Sequence, residues 1–144
     1  MRLSALRILV VEDEALIALE LGSLLQDLGH EVIGTAVGSA EAIALGLAGV
    51  PDVAFVDIHL MDGPTGVRVS EALSADPRIT LIFMTANDKR IPEDFAGAIG
   101  VIAKPYSERT VMAALDYVTA LRAGAEPGGG RVEGFRLAGP ARSG

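Results

Sequence analysis

A chain of 144 residues, half of them apolar, suits one globular domain with a buried core and leaves no room for a second of ordinary size. With no cysteine, disulfides and thiolate metal sites are excluded, and with two histidines zinc would have to lean on carboxylates, so magnesium is the better match. The net charge of −7 argues against DNA binding and against anionic membranes, and no apolar run is long enough to span a bilayer or resemble a leader, which implies a cytoplasmic protein.

Along the chain, an apolar run at Leu6 to Val11 reads as a strand, and an amphipathic stretch from Ala15 to Leu28, closed by Gly29, reads as a helix. The alternation continues with a strand at Val32 to Val37, a helix opened by Ser39 and ending near Gly49, and a strand at Val53 to Asp57. A helix from about Val67 to Leu73, a strand at Ile79 to Met84, a short helix near Glu93 to Ala98 and a strand at Val101 to Ala103 follow. The last helix runs from a Ser107 N-cap to about Arg122.

Strands alternating with helices imply right-handed crossovers and a parallel sheet covered on both faces, which accounts for the unbroken apolar runs at Val53 to Val56 and Ile79 to Met84. The expected fold is α/β, a doubly wound five-stranded parallel sheet with helices on both faces. Residues 1–122 form this domain. Residues 123–144, with Pro127, a run of glycines and scattered arginines, are expected to be a flexible tail, and the net charge changes from −8 over the first span to +1 over the second.

In such a sheet the ligand site lies beyond the carboxyl ends of the strands. Here those ends carry Glu12 and Asp13, Asp57, Thr85, and then Lys104 and Pro105. Three carboxylates at one sheet edge repel one another by several kcal/mol unless a cation offsets them, and a hard cation such as Mg²⁺ is the simplest resolution. Each residue has a plainer reading, since Glu12 and Asp13 suit a helix start, Thr85 an ordinary strand and Lys104 a surface charge. Asp57 differs, because it follows a buried strand and the next helix is too distant for it to be a cap. Phosphoryl transfer onto a carboxylate needs a nucleophilic Asp, a metal, and donors for the equatorial oxygens, and this set supplies each.

The ordered motifs Val-Val-Glu12-Asp13-Glu14, Asp57-Ile-His59-Leu, Met84-Thr85-Ala86 and Lys104-Pro105-Tyr106 resemble the receiver domains of two-component response regulators over about residues 5 to 122. The resemblance implies a flavodoxin-like sheet of strand order 2-1-3-4-5. It implies that Asp57 is the phosphoacceptor, that Glu12, Asp13, Asp57 and the backbone carbonyl of His59 hold Mg²⁺, and that Thr85 and Lys104 bind the phosphoryl oxygens. Ala86, Asn87 and Pro105 would edge the site, with His59 and Asn87 affecting the lifetime of the phosphorylated state. Family members usually hold the Lys-Pro bond cis. The donor would be a phosphohistidine on a sensor histidine kinase or phosphotransfer protein, and the output a changed surface for an unidentified downstream protein. Such a domain supports only its own phosphorylation and dephosphorylation, and this chain is expected to carry no output domain.

Three departures from the family pattern stand out. Met61 replaces a common proline. Only 19 positions separate Thr85 from Lys104, fewer than usual, so the fourth helix is expected to be short or irregular, with Pro92 delaying its start. Val101 stands where many receivers keep a switching aromatic, which leaves Tyr106, a core aromatic on a plainer reading, to share the switch with Thr85. Competing readings are a pseudo-receiver that signals without phosphorylation, a Mg²⁺-dependent small-molecule phosphohydrolase, and the receiver end of a longer regulator whose linker is the glycine-rich tail. His59 counts against the phosphohydrolase, which needs an acid–base Asp at that position.

Overall fold

Val53–Asp57 is buried along its whole length, as an uninterrupted apolar run in the centre of a sheet requires. In the computed structural model, which describes residues 5–86, 91–124 and 134–138, this strand is β3. It lies between β1 (Arg7–Val11) and β4 (Thr80–Thr85), with β2 (Glu31–Ala36) beyond β1 and β5 (Gly100–Ala103) beyond β4. These five strands are parallel and stand in the expected order 2-1-3-4-5. Helices α1 (Ala15–Asp27), α2 (Ser39–Gly49), α3 (Gly66–Leu73) and α4 (Glu108–Arg122) make the crossovers.

Alternate residues of each strand feed two separate cores. Val11, Val56, Phe83 and Val101 pack with Ala42 of α2 and Val69 and Leu73 of α3, whereas Val10, Phe55, Met84 and Ile102 pack with Leu21 and Leu25 of α1 and Val111 and Val118 of α4. Each fully buried large side chain contributes about 1.5–3 kcal/mol of burial free energy, so these two layers fix the sheet and the strand ends that carry the polar residues. Among the described residues no helix is long and apolar enough to cross a membrane.

The structure corrects the expected sheet at its far edge. Phe135–Leu137, inside the span 123–144 expected to be a flexible tail, form a sixth strand, β6, antiparallel to β5. The sheet is therefore six-stranded and mixed. Three residues in a glycine-rich context are too few to display a period, and what holds them is tertiary. The Phe135 ring meets Tyr117 of α4 edge-on, the Arg136 guanidinium lies 5.4 Å from the centre of the Phe95 ring, and Gly100 has no Cβ where one would stand 2.8 Å from the Arg136 carbonyl oxygen.

The short helix expected near Glu93 to Ala98 is a single 3-10 turn, Phe95–Gly97, with Phe95 and Ala96 at positive φ. Asp94 accepts a hydrogen bond from the Ala96 amide, and the buried Ser70 hydroxyl donates to the Ala96 carbonyl, tying the turn to α3. Ser107 caps α4 as expected, its hydroxyl accepting from the Thr110 amide. Ser39 does not cap α2. That position belongs to Gly38, and the Ser39 hydroxyl donates to Asp62 instead.

Candidate functional site

The strand ends bring Glu12, Asp13, Asp57, Thr85 and Lys104 to one edge because β1, β3, β4 and β5 run parallel and in near register. Asp57 sits opposite Met84, which places Thr85 one residue beyond it, and Thr85 sits opposite Ala103, which places Lys104 one residue beyond that. The Lys104 amide donates to the Thr85 carbonyl at 2.9 Å, extending the ladder past the end of the strands. The Lys104–Pro105 peptide is cis.

Lys104 is the centre of the arrangement. Its ammonium donates to Glu12 Oε1 and to Asp57 Oδ2, each at 2.8 Å, and only 12% of its side chain is exposed. Glu12 is completely buried, and its second oxygen accepts from the Glu14 amide. The second oxygen of Asp57 accepts from the His59 amide at 3.1 Å, while the His59 side chain is exposed. Burial pushes the Glu12 carboxyl up to about 7, against the hydrogen bonds from Lys104 and the Glu14 amide, and the negative charge of Asp57 adds to the rise. Burial works against the Lys104 ammonium too, yet its bonds to Asp57 and Glu12 outweigh that, and its pKa is raised.

Carboxylate oxygens of Glu12, Asp13 and Asp57 lie within 4.8 Å of one another. One lysine offsets three carboxylates only in part, so the cluster has both the hard oxygen donors and the surplus negative charge that suit a divalent cation such as Mg²⁺. Asp13, half-buried, is more open to water than the buried Glu12 and Asp57.

Tyr106 is half-buried and packs against the α1-side core. Burial raises its hydroxyl pKa, and the negative charges of Glu20 and Glu12 raise it further. With Ala86, Lys104 and Pro105 it lines a groove of about 350 Å³ bounded by Glu14, Ile17 and Glu20 of the α1 region. Ala86 and Pro105 are exposed at its rim. Asn87, expected at the site edge, lies outside the described residues.

Two residues of the site were not singled out in the sequence. A Cβ on Gly66 would stand 2.1 Å from the Asp57 carbonyl oxygen, so only glycine lets α3 begin directly behind the carboxylate strand. Asp62 accepts from the hydroxyls of Ser39 at 2.5 Å and Thr65 at 2.6 Å, and these bonds, Ser39 first, hold its pKa down to about 2. It pins the loop after β3 to the start of α2. The Asp-Gly-Pro-Thr-Gly run signals this turn, but its bond to Ser39 is a tertiary contact that local sequence does not carry.

Residues 8–116 match the family model described as the response regulator receiver domain. The chain is 34% identical over 113 residues to the phyllosphere-induced regulator PhyR of Methylorubrum extorquens, covering 77% of this chain and 42% of that protein. Among solved structures, the response regulator PhyR from Brucella abortus aligns with a TM-score of 0.71 and 33% identity over 85% of this chain and 50% of that one. The signal receiver domain of a modulated diguanylate cyclase from Desulfovibrio desulfuricans aligns with a TM-score of 0.75 and 27% identity, over 85% of this chain and all of that one. The chain thus spans about half the length of the two PhyR proteins.

Proposed function

Because the chain belongs to the response regulator receiver domain family, we propose that it takes a phosphoryl group onto Asp57 from a phosphohistidine of a sensor histidine kinase or phosphotransfer protein, and that the phosphorylated form presents a changed surface to a downstream protein. The observation that carries this reading is the Lys104 ammonium, held 2.8 Å from both Asp57 and Glu12 at the carboxyl edge of the sheet. In the reaction an Asp57 oxygen attacks phosphorus, the P–N bond breaks, and the departing imidazole nitrogen keeps the bond pair and is reprotonated from water. Lys104 follows the negative charge from the carboxylate to the phosphoryl oxygens, and the Thr85 hydroxyl donates to another of them. Glu12, Asp13, Asp57 and the His59 backbone carbonyl would hold Mg²⁺, which when bound supplies charge neutralisation.

The chemistry is confined to phosphorylation of Asp57 and its hydrolysis, in the cytoplasm. His59 stands where a small-molecule phosphohydrolase needs an acid–base carboxylate, and its amide is occupied in holding Asp57. Intact Glu12, Asp13, Asp57, Thr85 and Lys104 argue against a pseudo-receiver. The test is intact-mass analysis after acetyl phosphate treatment, with Mg²⁺ or with chelator. One phosphoryl group should add only with Mg²⁺, and Asp57→Asn should add none; undiminished labelling of that variant would sink the assignment.

A further inference from the structure

Ala103 and Lys104 turn their backbone amides to opposite sides of β5. The Lys104 amide donates inward to Thr85, whereas the Ala103 amide donates outward, to the Gly134 carbonyl at 2.8 Å. From there residues 134–138 run antiparallel along the outer edge of β5, ending where the Ala138 amide donates to the Ile99 carbonyl at 2.7 Å.

This occupant holds the edge by backbone hydrogen bonds together with two side-chain contacts. Phe135 is half-buried, Arg136 and Leu137 are exposed, and successive side chains go to opposite faces: Phe135 to Tyr117 of α4, Arg136 to the Phe95 ring of the 3-10 turn. At the near end, Gly134 has a φ of +94°, and a Cβ there would stand 3.2 Å from the Thr110 hydroxyl. The side chains read by the edge are therefore a glycine, an aromatic and a basic residue, while the Leu137 side chain points to solvent. Below the strand, Thr85, Ala86, Val101 and Ala103 face Gly134, Phe135 and Arg136 across a cleft of about 330 Å³, so the occupant abuts the end of β4 that carries Thr85.

An open sheet edge is a template for another strand, and main-chain pairing with pockets for alternate side chains is a general mode of peptide recognition. We infer that the outer edge of β5 is a docking site for an extended protein segment of the pattern glycine, aromatic, basic, and that residues 134–138 are its intramolecular occupant, displaced when a partner segment binds. The basic position is matched by the Phe95 face and by the −7 charge of the chain. A tethered occupant competes at an effective concentration of about millimolar, so a short peptide of matching affinity gains the edge only when the tethered strand is weakened, whereas a partner that binds more tightly displaces it.

The test follows the Ala103 amide by NMR hydrogen exchange in the full chain, with the amides of Leu21 and Leu25 in α1 as the folding control. Phe135→Ala should speed Ala103 exchange at least tenfold and leave α1 unchanged. Adding a synthetic peptide of residues 132–139 should then restore protection saturably, and the same peptide with glutamate in place of its arginine should fail to do so. If Phe135→Ala disturbs α1, Arg136→Glu, whose side chain is exposed, gives the same reading without touching the core. An Ala103 amide that is unprotected in the wild type, unaffected by both substitutions, or left unprotected by millimolar peptide in the weakened variant overturns the inference.

Discussion

Gly66 begins α3 so close behind Asp57 that a Cβ on it would overlap the Asp57 carbonyl oxygen at 2.1 Å and the Ile58 Cα at 2.6 Å. The obstacles are backbone atoms of the strand that presents the carboxylate, so they cannot rotate away. Gly66→Ala should destabilise the fold by about 2 kcal/mol or more and slow phosphorylation as Asp57 shifts against Lys104. Gly22, in the middle of α1 with nothing within 4 Å of its Cβ position, gives the control: Gly22→Ala should be neutral or stabilise by up to about 1 kcal/mol. Urea denaturation of the two variants checks both, and equal midpoints would contradict the close approach.

Asp13 contributes charge to the cluster without sharing the lysine. Lys104 is bonded to Glu12 and Asp57, which leaves Asp13 as a half-buried carboxylate whose oxygens neighbour theirs. Asp13→Ala should therefore weaken Mg²⁺ binding at least tenfold while leaving the metal-free protein as stable as the wild type or slightly more so, because one like-charge repulsion is gone. Calorimetric titration with Mg²⁺ and thermal melts in chelator measure the two effects. Unchanged Mg²⁺ affinity would remove Asp13 from the metal set.

The parallel sheet and the strand-end residues were legible because each rests on a local signal: a continuous apolar run for β3 and β4, a helical period for α1 and α4, and a polar residue where each run stops. What escaped depends on contacts distant in sequence. β6 is three residues held by Phe95, Gly100 and Tyr117. The turn at Phe95 and Ala96 uses positive φ at residues that rarely adopt it, a choice fixed by Ser70 and Asp94 rather than by intrinsic preference. Likewise His30 accepts the Leu6 amide at its Nδ1, a bond visible only once β1 and the loop before β2 are side by side.

Glu12 gives the site a pH dependence of definite sign. Its folded-state pKa is raised to about 7 from an ordinary 4.5, so between those values the folded protein holds a proton that the unfolded chain has released, and metal-free stability should fall as pH rises through that window. His30 acts in the opposite direction, since burial lowers its pKa, with Asp116 pulling back. Comparison with Glu12→Gln isolates the first effect: the variant should lose the downward slope. Mg²⁺, which competes with the proton, should bind more tightly at pH 8 than at pH 6. A Mg²⁺ affinity that is flat across this range would mean that Glu12 is already ionised at pH 6 or takes no part.

On the proposed phosphorylation of Asp57, the switch is an element with two arrangements that senses the new charge there. Thr85 is placed to sense it, at the end of β4 and one residue beyond the partner of Asp57, and its carbonyl holds the Lys104 amide. Movement of Thr85 or Lys104 toward a phosphoryl group therefore pulls on β5 through the peptide that joins Lys104 to Ala103, and Ala103 in turn holds β6. On the other side of Thr85 the chain runs toward the Phe95–Gly97 turn, where two non-glycine residues at positive φ cost about 1–3 kcal/mol each, a strained segment that can be remodelled at small net expense. With Val101 in place of an aromatic, any accompanying ring movement falls to Tyr106, which lines the groove beside Lys104. A beryllofluoride mimic of the phosphoryl group, with Mg²⁺, should change amide exchange chiefly across residues 85–107, with the Ala103 and Lys104 amides among the most altered. Thr85→Ala should retain some phosphoryl transfer yet lose that change. Identical exchange in this span with Asp57 fully occupied would show that the signal leaves by another face of the domain.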